Sequence, residues 1–390
     1  MPIIVYIFMF LYLLGNYYIY RRVRPIISSR AVRGALAAAF LFFFSSYWLA
    51  EFGKHILSPG LTPVLRWIGS WWIGFSFYAV IILLLIDLVR LVGHVFHLLP
   101  AVLLKPSLAA RRFFLTVIGG GVLILLLAGY FNARKLRVTT MELNLPPSCG
   151  HMSRLNLVFL SDMHLGVMVE SSFLEEIIKE VNGLNPDIIL LVGDTVDMNI
   201  QEIERLGHGE KLSGFRAPLG VYAVTGNHEY ITGVEGAVKF ISSSGISLLR
   251  DRAVKINNSF YLVGREDRSA GNRFKEGKTL RGILSGLDPD CPVILLDHQP
   301  ARIDEAVEAG VDLLLCGHTH NGQLFPLNLI TGAVYKVSNG YERIGETQIY
   351  VTSGVGTWAP PVRIGNVPEI VQLKIEFGQA SAALQSTNVY

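Results

Sequence analysis

The chain has 390 residues, 51% hydrophobic and only 17% charged, against about 25% charged in an average soluble protein. Its formal net charge of +3 divides unevenly: residues 1–131 carry 11 Lys and Arg against 2 acidic side chains, which leaves 23 basic against 29 acidic in the remainder. That partition excludes a single globular domain and a nucleic-acid-binding reading of the slight excess of base, and it predicts a membrane region followed by a mildly acidic domain of ordinary size.

Four uncharged apolar runs, residues 2–20, 34–50, 67–86 and 113–131, approach or reach the length needed to cross a hydrocarbon core of about 30 Å. The first lacks a basic start and a small-residue cleavage site, so it reads as a retained anchor. Trp48, Trp67, Trp71 and Trp72 flank the loop between the second and third runs, where amphipathic rings settle at headgroup level. Asp87 and Arg90 stand three apart, a spacing that predicts an ion pair on one helix face. The stretch Leu91 to Leu104 stays apolar around His94, His97 and Pro100 and reads as an interfacial helix. No run contains a charge, which leaves a channel or transporter without support.

Basic residues resist translocation. Arg21, Arg22, Arg24, Arg30 and Arg33 fill the first connecting loop, and Arg90, Lys105, Arg111 and Arg112 the third. The opposite side has Lys54, Arg66, Arg134, Lys135 and Arg137. The excess predicts a multi-pass protein of the cell membrane with both basic loops in the cytoplasm and both chain ends outside.

Beyond residue 132 the expected organisation is a linker over 133–150, a folded domain over 151–377 and a flexible tail over 378–390. Short apolar runs at Leu155–Leu160, Ile188–Val192, Val221–Val224, Val293–Leu296 and Leu313–Cys316 read as buried strands. Phe173–Val181 and Arg302–Val307 have helical spacing. Ala333–Val337, Ile349–Thr352 and Glu369–Ile375 read as late strands without intervening helices. This alternation with a strand-rich end predicts a layered α/β sandwich with a mixed sheet. Cys149, Cys291 and Cys316 read as apolar filling.

The polar residues gather at strand ends: Asp162 and His164; Gly193, Asp194 and Asp197; Gly226, Asn227, His228 and Glu229; Asp297 and His298; and Gly317, His318 and His320. Ligands in open α/β sheets bind at the carboxyl ends of strands, so five of the chain's ten histidines fall on one rim with three oxygen donors. Asp, Asn and His without thiolates suit Mn, Fe or Zn in a working site rather than a structural zinc.

These five ordered blocks resemble those of the calcineurin-like metallophosphoesterases, and the resemblance runs from Asn156 to about Ile375. The stretches Asn321-Gly322-Gln323, Ser353 to Thr357 and Pro368-Glu369-Ile370 are similar to its membrane-associated branch, which includes bacterial phosphodiesterases and animal transmembrane proteins. Asn321 stands where that branch usually has Gly. Met198-Asn199 replaces the Arg-Gly of the protein phosphatases, which argues against a phosphoprotein substrate.

The resemblance implies a four-layer αββα sandwich carrying two divalent metal ions. Asp162, His164, Asp194 and His320 would hold one, Asp194, Asn227, His298 and His318 the other, with Asp194 bridging. It implies His228 as the group beside the leaving oxygen, while Asp197 reads as orienting a ligand or pinning its loop. Glu229 and Asp297 read as braces of local backbone. Arg363 is a candidate phosphate contact, and Arg265 a weaker one. The expected activity is metal-dependent hydrolysis of a phosphodiester or pyrophosphate on a lipid-linked or membrane-proximal substrate. The alternatives are a cytoplasm-facing pyrophosphatase of nucleotide-linked lipid precursors and a non-catalytic metal-binding module, the latter disfavoured by a complete donor set.

Overall fold

The computed structural model describes residues 3–378 other than 54, 55, 59, 105, 198, 199 and 275–278. Lys54, Lys105, Met198, Asn199 and the expected tail beyond residue 378 therefore lie outside the described residues. The chain divides into two compact units, Met1–Phe131 with Ala359–Val362, and Asn132–Trp358 with Arg363–Tyr390.

Long apolar sequence gives the first unit its helices, Ile3–Val23, Arg30–Phe52, Leu61–Val95 and Leu108–Asn132, with Pro63 confined to the first turn of the third, where no backbone N–H is needed. The last three are long and apolar enough to cross a membrane, and they enclose the expected runs 34–50, 67–86 and 113–131. The expected first run, 2–20, begins among residues 1–5, whose side chains lie outside the described residues; the helix Ile3–Val23 covers the rest. The helix Leu61–Val95 has 35 residues, about 52 Å at 1.5 Å per residue and so longer than the roughly 30 Å hydrocarbon core. It takes in Leu91–Val95 and corrects the expectation of a separate interfacial helix there; only the single turn Ala101–Leu104 follows.

Polar side chains tie these helices together in pairs, because a lone charge in apolar surroundings is costly. Asp87 pairs with Arg22 of the first helix and accepts the Tyr18 hydroxyl at 2.6 Å. The expected partner, Arg90, is therefore replaced by a residue remote in sequence. Arg66 meets Glu51 at 2.9 Å, and Trp72 donates its indole N–H to Asn16 at 2.7 Å.

The second unit has twelve strands among the described residues: β1 Arg137–Leu145, β2 Arg154–Leu160, β3 Ile188–Val192, β4 Val221–Val224, β5 Ser247–Leu248, β6 Arg252–Ile256, β7 Phe260–Gly264, β8 Val293–Leu296, β9 Leu313–Cys316, β10 Gly340–Ile344, β11 Thr347–Val351 and β12 Glu369–Phe377. They form two six-stranded mixed sheets, in the orders β1-β12-β2-β3-β4-β5 and β10-β11-β9-β8-β7-β6. Within the first, β2, β3 and β4 run parallel; within the second, β7, β8 and β9 do.

Side-chain alternation along the strands builds the layers. Leu157 and Phe159 face a core shared with Leu262, Ile294, Leu296 and Leu313 of the other sheet. Their neighbours Val158 and Leu160 face the opposite way, against Leu174, Ile177 and Val181 of the helix Ser171–Gly183. On the far side, Leu295 and Leu314 pack with Ile303 and Ala306 of the helix Ile303–Glu308. Helix, sheet, sheet, helix is the αββα sandwich expected.

Three expectations are corrected. The supposed linker contains β1, which pairs in parallel with β12 from Arg137↔Glu369 to Leu145↔Phe377; its mixed polar and apolar residues suit a strand at the edge of a sheet, where only the end buries Leu143 and Leu145. The supposed strand Ala333–Val337 overlaps the end of a helix, Leu327–Val334, because the apolar run begins earlier, at Leu327, and is long enough for two turns. Finally, Cys149 and Cys291 form a disulfide with Cα atoms 4.9 Å apart; only Cys316 is a buried free thiol. That bond closes 142 residues, and its loss is expected to cost about 2–5 kcal/mol. Thermal unfolding of the Cys149→Ser, Cys291→Ser double variant against the parent measures it, and an unchanged midpoint would contradict the bond.

Candidate metal centre

Parallel strands carry their C-terminal ends to one edge, and each delivers part of the site there. β2 runs into Asp162 and His164, β3 into Asp194, β4 into Asn227 and His228, β8 into His298 and β9 into His318 and His320. The structure brings these together as three overlapping groups of donor atoms, each group within 4.8 Å: Asp162, His164 and His320; His164, Asp194 and His228; Asp194, His298 and His318.

The backbone turns sharply to achieve this. Asp162 (φ 57°), His164 (48°), Asp194 (50°), His318 (73°) and His320 (48°) all lie in the left-handed region, which is sterically unfavourable for residues with a Cβ and concentrates at functional sites. The loops also approach closely. A Cβ on Gly226 would stand 2.2 Å from Asp194 Oδ1, and one on Gly317 would stand 2.4 Å from Asp162 Oδ2.

Donor atoms converge at short range. His320 Nε2 is 3.2 Å from Asp162 Oδ1 and 3.0 Å from His164 Nε2. Asp194 Oδ2 is 3.1 Å from His298 Nε2 and 3.9 Å from His164 Nε2, so one carboxylate oxygen faces both groups. Its Oδ1 accepts the His228 backbone N–H at 2.8 Å. His298 Nδ1 lies 2.8 Å from the Val192 carbonyl; a proton shared there leaves the Nε2 lone pair free. Asn227 Oδ1 is a buried oxygen that no donor among the described residues reaches. Buried carboxylate oxygens and imidazole nitrogens converging at these distances fit divalent cations, and a thiolate-free set of N and O atoms fits Mn, Fe or Zn.

The electrostatics agree for most of the set; His298 is the exception, since burial disfavours its charged form but the carboxylates of Asp194 and Asp162 hold it well above the ordinary imidazole value. Burial opposes ionisation of Asp162 and Asp194, yet the surrounding imidazoles hold both well below the usual carboxylate range. Burial pushes His318 and His320 down to about 4, leaving neutral rings able to ligate. Burial also disfavours a charged His228, but the carboxylates of Asp197 and Asp194 prevail and push it up to about 10. Asp197 contacts His228 Nδ1 closely and lies 3.8 Å from His164 Nδ1.

The residues expected as braces behave as such. Glu229, fully buried, accepts backbone N–H groups from Gly226 at 2.6 Å, Thr195 at 2.7 Å, and Asp194 and Val196 at 3.1 Å. It thereby joins the second and third blocks. Asp297 pairs with Arg302 at 2.8 Å and Arg265 at 3.3 Å, and Arg265 also reaches Glu305 at 2.8 Å. Arg265 is thus held in the framework.

Arg363 departs from expectation. It is 0% exposed, and its guanidinium donates to the carbonyls of Ser353, Gly354, Gly356 and Val367 and to Asn366 Oδ1. One nitrogen lies 3.4 Å from His320 Nδ1. It organises the loop behind His320, and its donors point at backbone where a phosphate contact would need them open. Tyr335, unremarked in sequence, places its ring 6.0 Å from that of His318; no spacing or motif signals it.

Known proteins are similar to this chain. The calcineurin-like phosphoesterase family profile matches residues 155–322. A protein of Aquifex aeolicus (strain VF5) named an uncharacterized metallophosphoesterase is 34% identical over 228 residues, 57% of this chain and 86% of its own length. A Danio rerio "transmembrane protein with metallophosphoesterase domain" is 34% identical over 266 residues, covering 65% of this chain and 60% of that protein. The chain spans about 60% of the length of several such curated relatives. UDP-2,3-diacylglucosamine pyrophosphatase LpxG of Chlamydia trachomatis is 25% identical over 315 residues, covering 66% of this chain and 95% of that protein. With its donors gathered at the strand ends as described, the chain belongs to the calcineurin-like metallophosphoesterases, hydrolases built around a dinuclear divalent metal centre.

Proposed function

We propose that the chain is a multi-pass membrane phosphoesterase that hydrolyses a phosphodiester or pyrophosphate bond of a lipid-linked or membrane-proximal substrate. The observation that carries the reading is the position of Asp194 Oδ2 between the imidazoles of His298 and His164. Asp162, His164, Asp194 and His320 would hold one divalent cation, and Asp194, Asn227, His298 and His318 the other. Bound there, the pair would bind a phosphoryl oxygen, lower the pKa of a water and offset the charge of an in-line displacement.

The remaining steps belong to the chain. Asp197 holds His228 by Nδ1 and favours its protonated form, which leaves Nε2 to direct a proton or a hydrogen bond at the leaving oxygen. The His228 side chain is 20% exposed, so it can meet substrate while the donors behind it stay dry. Purified full-length protein with Mn²⁺, Fe²⁺ or Zn²⁺ is expected to hydrolyse bis-p-nitrophenyl phosphate. No metal-dependent turnover of any phosphoester would overturn the reading.

Three apolar helices in the chain support a membrane-associated substrate. The basic loops favour an extracytoplasmic catalytic unit, and so does the Cys149–Cys291 disulfide, because such bonds persist in oxidising compartments. The second reading, a cytoplasm-facing pyrophosphatase of nucleotide-linked lipid precursors, is favoured by likeness to the Chlamydia trachomatis pyrophosphatase. Reporters fused after residue 390 separate the two: alkaline phosphatase active and a cytoplasm-dependent fluorophore dark supports the first, the reverse supports the second.

A further inference from the structure

The helix Leu327–Val334 follows closely on His320, to which it is joined through the turn His320–Gly322. Gly322 packs so tightly on this helix that a Cβ would meet the Asn328 backbone nitrogen at 2.1 Å, and just past its far end Tyr335 reaches the ring of His318. Both ends are thus fixed to the metal-site histidines. Yet the helix buries none of its own residues. Leu329 is 64%, Ile330 58% and Val334 67% exposed, and Phe325 just before it is 51% exposed. On a helical wheel Leu329, Ile330, Ala333 and Val334 share one face. Trp358, 37% exposed, is tied to the same turn, because the Gln323 side-chain amide donates to its carbonyl at 2.9 Å and accepts its N–H at 3.1 Å.

Contiguous apolar side chains on a water-soluble surface mark an interaction site. We infer that this ridge, Phe325, Leu329, Ile330, Val334 and Trp358, docks into the surface of the lipid bilayer and brings the metal site to its substrate. Two features of the chain identify a bilayer as the occupant. The apolar helix Leu108–Asn132 ends only five residues before β1 starts at Arg137, so an extended connection spans at most about 17 Å. Large aliphatic side chains with aromatic neighbours are also the composition that partitions to the acyl-headgroup boundary.

The inference rests on the proposed membrane-associated substrate, and the test separates the two. The full chain is reconstituted in phosphatidylglycerol and phosphatidylcholine nanodiscs, with a spin label at Ile330→Cys and, as control, at exposed Glu342→Cys. Collisions with oxygen are expected to dominate at position 330, and collisions with a water-soluble nickel chelate at 342. Equal behaviour at the two positions would overturn the docking, as would shielding of position 330 from both reagents, which indicates a protein occupant. In the same nanodiscs, combined Leu329→Ser, Ile330→Ser and Val334→Ser changes are expected to lower hydrolysis of a phospholipid about tenfold, because binding to a bilayer scales with the apolar area it buries, and to leave that of soluble bis-p-nitrophenyl phosphate unchanged. Equal rates on the phospholipid would count against docking. Absent turnover of the soluble diester by the parent protein would refute the enzymatic reading and leave the label result standing.

Discussion

Asp194→Asn is expected to lower kcat/KM on bis-p-nitrophenyl phosphate at least ~1000-fold, about 4 kcal/mol of transition-state stabilisation, while the chain inserts and folds. Asparagine keeps the shape and an oxygen for the His228 N–H, now 2.8 Å from Asp194 Oδ1. It removes the charge from the carboxylate that faces both donor groups, and two cations without a shared anion repel one another. Metal content by mass spectrometry should fall with the rate. Retained activity at parental metal content would show that the donor assignment is wrong.

Glu229→Ala should be the most destabilising single change near the site. The carboxylate is fully buried and accepts four backbone N–H groups, and each buried donor left without a partner costs about 1–3 kcal/mol. Water entering the cavity recovers part of this, so a net loss of about 3–5 kcal/mol is expected. Glu229→Gln keeps the side-chain volume and one acceptor oxygen and should lose less than half as much. Activity should fall with stability, because the loops that Glu229 joins carry Asp194 and Asn227. A midpoint of unfolding for Glu229→Ala indistinguishable from that of the parent would contradict this role.

The five strands that feed the site are legible in the sequence because each is a short run of apolar residues, largely buried and closed by Gly, Ser, Thr or Asp. Ile188–Val192 has no exposed position at all. The donors are legible for the same reason, since polar residues directly after such runs have one edge of the sheet to occupy. β1 is not legible: Arg137–Leu145 mixes Thr, Glu and Asn with apolar residues, and its pairing with β12 joins segments more than 200 residues apart. The hairpin of β6 and β7 turns through left-handed Asn257 and Asn258, a signal present in the sequence as an Asn pair. Arg363 misleads because its partners are carbonyl oxygens of a loop folded back on itself, and carbonyls have no sequence signature. The disulfide is hidden because its two cysteines, far apart in the chain, meet only once the second unit has folded.

That disulfide also sorts the donors by covalent connectivity. Asp162, His164, Asp194 and Asn227 lie between Cys149 and Cys291, whereas His298, His318 and His320 lie beyond. A protease that nicks a loop between His164 and Cys291 produces two fragments that remain joined through sulfur, each bearing part of the donor set. A nick after Cys291 releases its C-terminal fragment from every covalent tie to the membrane helices.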